Sequence, residues 1–74
     1  MRILLFGVLA EVVGNSIIDM EADDVSSLRE RLITKFPSLK NYSFQVAVNQ
    51  ERIETNTSLI EQDEVALLPP FAGG

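Results

Sequence analysis

The chain has 74 residues, 46% hydrophobic and 23% charged, which suits a folded globular domain rather than a disordered segment. A single domain this short lies near the size at which a core only just outweighs chain entropy, so a rich core or a permanent partner is expected. Eleven acidic against six basic residues give a net charge of −5 with no Lys/Arg cluster, which disfavours nucleic acid; with neither Cys nor His, disulfides, thiolate or imidazole metal sites, a catalytic triad and the usual neutral-pH proton shuttle lose their participants.

The opening run MRILLFGVLAEVVG is apolar with one positive charge. Glu11 interrupts it, it falls short of the ~20 residues of a membrane span, and its removal as a signal peptide would leave too small a domain. It is therefore expected to be a buried first strand, Arg2 to Val8, of a cytoplasmic protein that does not enter a membrane. Gly14-Asn15 is a turn signal before a second β-rich stretch, Ser16 to Met20, so the two stretches predict a hairpin. Val8 to Val13 is longer than a tight turn, and a wide loop or bulge is expected there.

After Asp23-Asp24 the period changes. Val25, Leu28, Leu32 and Phe36 recur at helical spacing, with Asp24 as N-cap and Pro37 forcing an end near Phe36. Phe44 to Asn49 alternates as a strand, with Phe44, Val46 and Val48 on one face; Asn49-Gln50-Glu51 turns the chain into a short return around Arg52 to Glu54. Leu59-Ile60 follows a polar stretch, and Glu64 to Leu68 is the last strand.

One main helix across one face of a mixed sheet of about four to five strands is the simplest burial scheme, an α+β domain with its first and last strands central. The helix covers one face only. If Ile3, Leu5, Val65 and Leu67 form the core, then Leu4, Phe6, Ala66 and Leu68 share the opposite face as an apolar patch. Loops could cover it, but the grouping of four such positions favours a partner.

The pairs Asp23-Asp24 and Asp63-Glu64 have the residue types of metal ligands or an acid/base pair, yet capping and a turn before a strand explain them better. The four glycines, at 7, 14, 73 and 74, are not spaced to cradle phosphate. That leaves the end, LLPPFAGG. Proline cannot continue a ladder, and two in series extend the backbone stiffly, so Pro69-Pro70 project residues 69–74 as a tail. Glycine lacks a Cβ, so Gly73-Gly74 suits a chain end that threads a narrow channel and leaves its carboxylate open to activation.

The opening ILLFG with Glu11 and Gly14, AVNQ at 47–50 and DEVALLPPFAGG at 63–74 together resemble one family. It is the small subunit of molybdopterin synthase, a sulfur carrier with the ubiquitin-like β-grasp fold. The resemblance covers the whole chain, 1–74, as a single domain. It implies that Gly74 is adenylated by an ATP-dependent activating enzyme, converted to a thiocarboxylate, and then gives its sulfur to cyclic pyranopterin monophosphate inside the large synthase subunit. Gly73 would let the tail pass, and Phe71 and Ala72 would line the channel. Phe6, Leu68 and Arg52, with Pro69 and Pro70, would meet the large subunit, in a heterotetramer with two small subunits at its ends. No cofactor or metal is implied for this chain, ATP being used by the activating enzyme.

Two positions depart from the family pattern: Ala10 stands where many members carry Arg, and Gln62 where they carry Gly. Since Gly there usually permits a positive φ, Gln62 is expected to strain or reshape its turn. Alternatives within the fold are a carrier for thiamine or tRNA thiolation and a ubiquitin-like modifier that forms isopeptide bonds; outside it stands a plain interaction domain.

Overall fold

The computed structural model describes residues 1–70. Five strands form one mixed sheet: β1 (Arg2–Leu5), β2 (Ile17–Asp19), β3 (Gln45–Val48), β4 (Glu51–Ile53) and β5 (Glu64–Leu68), in the order β2-β1-β5-β3-β4. The first and last strands are therefore neighbours. They run parallel, with Ile3 opposite Val65 and Leu5 opposite Leu67, while every other pairing is antiparallel. This is the α+β, ubiquitin-like arrangement expected from the sequence.

The main helix, α2 (Val25–Lys35), starts where Asp24 accepts a hydrogen bond from Ser27 N at 2.8 Å. It buries Val25, Leu28 and Leu32, three of the four positions set by the periodicity, and Phe36 packs half-buried at its end. Pro37 does stop the α-helix, but the chain continues as a 3-10 turn, Pro37–Asn41, which drives Leu39 into the core. Ile3, Leu5, Val46, Val65 and Leu67 meet this layer from the sheet. Fully burying a Leu or Val contributes roughly 1.5–3 kcal/mol, so stacking these residues is how so short a chain offsets its ordering entropy.

One expectation is corrected. The segment after β1 is neither a wide loop nor a bulge but a short helix, α1 (Val8–Val13), which ends at Gly14 in the left-handed region, φ 89°. Strand β1 accordingly stops at Leu5 rather than Val8. Six residues are too few for a helix to hold in isolation; burial of Leu9 and packing of Ala10, Val12 and Val13 on the core fix it in place.

Of the two outcomes expected at Gln62, strain is not the one found. Among the described residues, the only non-glycine positions with positive φ are Asn49 (51°) and Gln50 (70°), so Gln62 carries no such strain. Its turn is closed by Asp63 N donating to Ile60 O at 3.0 Å, while Asp63 Oδ2 accepts from Ile60 N at 2.8 Å. The strained pair sits instead in the two-residue hairpin between β3 and β4, where Val48 pairs with Glu51.

Candidate functional site

Residues directly opposite one another in a sheet share a face. The pairings Arg52↔Ala47, Ala47↔Ala66, Ala66↔Leu4 and Leu4↔Ile17 therefore draw one row across the face away from α2. Two residues further along β5, Leu68 pairs with Gln45. Phe6 continues β1 beside it, its N–H donating to Leu67 O at 3.2 Å.

This open face is graded along β5. At the start of the strand, Glu64 pairs with Arg2, their charged groups 3.9 Å apart, and Arg2 lies opposite Asp19. At the end lie Leu68, Ala66, Leu4 and the two most exposed members, Phe6 at 47% and Ile17 at 56%. Polar surface thus gives way to apolar surface in the direction that leads to Pro69. A hollow of about 450 Å³ lined by Leu4, Phe6, Ala10, Ser16 and Ile17, among others, opens at this apolar end.

The residues singled out from the sequence that fall among those described each have a place. Phe6, Leu68 and Arg52 lie on the one face, with Arg52 exposed at its β4 margin; Pro69 is half-buried and Pro70 exposed where the strand ends. Phe71, Ala72, Gly73 and Gly74 lie outside the described residues. Ile17 was not foreseen as part of this surface: its β-branched type marked a strand, but the sequence has no signal for which of Ile17 and Ile18 faces out. The register with Leu4 decides it.

The chemistry of the body is spare. Among the described residues no group of three or more His, Cys, Asp or Glu side chains could hold a metal ion, and no helix is long and apolar enough to cross a membrane. The carboxyls with displaced titration are structural. Asp24 is held below the usual range by its hydrogen bond from the Ser27 backbone, then by the side chains of Ser27 and Asn56. Asp63 is lowered by the Ile60 N–H and then by Asn49. The Met1 ammonium is raised by hydrogen bonds to Glu21 at 2.7 Å and Asp19 at 3.0 Å. All three pin chain segments together.

A model of the ThiS family matches residues 3–74, nearly the whole sequence and all of the tail. The chain belongs to the ThiS family. Among curated relatives, the molybdopterin synthase sulfur carrier subunit of Escherichia coli is 30% identical, covering 99% of this chain and 98% of the relative. The resemblance drawn from ILLFG, AVNQ and the tail therefore stands. Among solved structures, the small archaeal modifier protein 1 of Methanosarcina acetivorans superposes with a TM-score of 0.86 at 25% identity, covering 99% and 94% of the two chains. A protein–protein complex of subunits 1 and 2 of the molybdopterin-converting factor of Helicobacter pylori contains a chain that superposes at 0.74 with 29% identity, covering 99% of this chain and 96% of that one. ThiS-family membership thus joins the fold, the open face and the terminal Gly-Gly in one chain.

Proposed function

We propose that this protein is the sulfur-carrying subunit of a molybdopterin synthase, its working atom being the sulfur held at Gly74. The observation that carries the reading is full-length kinship with a sulfur carrier subunit in a chain whose apolar sheet face runs straight into the base of the Gly-Gly tail.

The chemistry follows from a bare terminal carboxylate. Bound to an activating enzyme, the carboxylate of Gly74 attacks the α-phosphorus of ATP, releasing pyrophosphate and forming an acyl-adenylate. Sulfur at the oxidation level of sulfide displaces AMP and leaves a thiocarboxylate. In the large subunit that sulfur attacks a carbon of cyclic pyranopterin monophosphate and displaces the oxygen that carbon carried, giving a thioester. Water then hydrolyses its acyl–sulfur bond, which leaves the sulfur on the pterin and returns the carboxylate. Two such rounds build the dithiolene of molybdopterin. Gly73 and Gly74 present no Cβ to a channel wall, Phe71 and Ala72 line the channel, and Pro69-Pro70 end the last strand.

Phe6, Ile17, Leu68 and Arg52 form the docking face for the large subunit, two copies of each making a heterotetramer in the cytoplasm. The complex of two molybdopterin-converting factor subunits containing a similar chain supports such a partner. The chain itself binds no cofactor in this reading; ATP and the pterin belong to its partners.

A specific likeness favours one alternative, since the superposition at 0.86 is on a modifier protein. One experiment separates the two. Purified chain is incubated with its activating enzyme, ATP and a sulfur source, and its intact mass is measured. The carrier reading expects exchange of one terminal oxygen for sulfur, followed by pterin conversion once the large subunit is added. A terminus unchanged with demonstrably active enzyme sinks the reading, and lysine conjugates dependent on Gly74 in place of pterin conversion establish the modifier.

A further inference from the structure

The two glycines within the described residues differ in what surrounds them. Both have positive φ, yet a Cβ built on Gly14 meets nothing within 4 Å, so Gly14 serves backbone conformation alone. A Cβ built on Gly7 would stand 3.2 Å from Pro69 Cγ and 3.9 Å from its Cδ. Gly7 also adopts φ 57°, ψ −135°, a region closed to most L residues.

We propose that Gly7 is a positioning residue for the carrier tail: its bare Cα is the seat on which Pro69 rests, and this seat sets the direction in which the chain leaves the sheet. The inference rests on the sulfur-carrier reading of Gly74. Both sides of the contact are held. Phe6, just before the seat, donates its N–H to Leu67 O at 3.2 Å, and Gly7 O accepts from Ala10 N at 3.1 Å as α1 begins. Pro69 has its own φ fixed by its ring. A side chain at position 7 requires the proline ring to give by a few tenths of an ångström, and the stiff Pro69-Pro70 pair has little freedom to absorb that shift. Productive attack tolerates displacements well under about 1 Å, so even a small shift at Pro69 lowers the rate at which the end of the chain is charged.

The wild-type chain gives the first readout. An NMR nuclear Overhauser effect between the Gly7 α-protons and the Pro69 ring protons is expected, and its absence overturns the seat. The second is a double-mutant cycle of Gly7→Ala, Pro69→Ala and both together, assayed for ATP-dependent charging of the terminus. Gly7→Ala is expected to lower kcat about tenfold or more while KM for the carrier stays within about twofold. In the Pro69→Ala background the same change is expected to cost less than about twofold, because the ring it displaces is gone. Equal losses in both backgrounds, or a raised KM with kcat intact, reject the proposal. If Gly7→Ala alone does not fold, recovery of the fold in the double variant supports the contact; if neither folds, Pro69→Ala alone decides, a lowered kcat at unchanged KM supporting the seat and an unchanged kcat rejecting it. A wild-type chain that shows the Overhauser contact but is never charged defeats the carrier reading instead.

Discussion

Asn49 and Asp63 clasp one another across the sheet: Asn49 Nδ2 donates to Asp63 Oδ1 at 2.8 Å, and Asn49 Oδ1 accepts from Glu64 N at 3.0 Å. Asn49 also stands at φ 51°, one of the few residue types that tolerates the left-handed region. The Asn of the AVNQ motif is thus a structural clamp that sets where β5 begins. Asn49→Ala loses two hydrogen bonds and leaves a β-carbon in a poor conformation, so a clear fall in unfolding midpoint is expected, by thermal melt, with little change in the intrinsic chemistry at Gly74.

The neighbouring Gln50, at φ 70°, has no such compensation. Glycine is the favoured second residue of a two-residue hairpin of this kind. Gln50→Gly is expected to stabilise the domain by about 0.5–1 kcal/mol, measured by urea unfolding. A loss of stability there contradicts the turn geometry.

Acid and alkali should weaken the fold at different places. Asp24 and Asp63 have pKa values below the ordinary range in the folded state. Their contribution is complete above the unfolded value of about 4 and is lost as pH falls through the depressed folded values. The Met1 ammonium is raised, so its contribution is complete below about 8 and disappears as pH climbs through the raised value. Asp24→Asn, which keeps a cap without the carboxylate, is expected to flatten the acid limb only. A melt series from acid to alkaline pH checks both signs.

Partner binding and stability should separate by face. Leu67, at 0% exposure, points into the core, and Leu67→Ala is expected to cost about 2–5 kcal/mol, a large share of what a domain this small can hold. Phe6→Ser, on the open face, is expected to move the melt little and to weaken large-subunit binding about tenfold or more. Calorimetric titration of the two variants against that subunit is the comparison, and equal affinities for Phe6→Ser and wild type rule the face out as the interface.

Removal of the last two residues probes the other end of the function. The chain lacking Gly73-Gly74 is expected to melt with the full-length protein and bind the large subunit, yet accept no sulfur in the mass assay. Retained sulfur transfer would place the reactive group elsewhere.

Which of these features could be read from the sequence depended on how local their causes are. Asp24, with Val25, Leu28 and Leu32 behind it, carries its helix in its own spacing, and the alternation in Glu64–Leu68 sorts core from open face without further information. Helix α1 was illegible because Val8, Val12 and Val13 are β-branched and its stability comes from Leu9 reaching a core built by distant residues. The 3-10 turn was hidden for a related reason: Pro37 announces an end, while only the space waiting for Leu39 explains the continuation. Ile17 joined the open face through a register that no single strand encodes. The sulfur proposed for Gly74 rests on kinship alone, since a terminal carboxylate by itself says nothing of the atom it will bear.

The strand made last in the chain, β5, lies in the middle of the sheet with β1 on one side and β3 on the other. A ribosome that stalls, or a protease that cuts, before Glu64 leaves a fragment whose remaining strands have nothing to bridge them. Such a fragment also lacks Ala66 and Leu68, the strip that joins Leu4 on one side of the open face to Ala47 on the other. A chain cut there loses the middle of its core and the middle of its open face together.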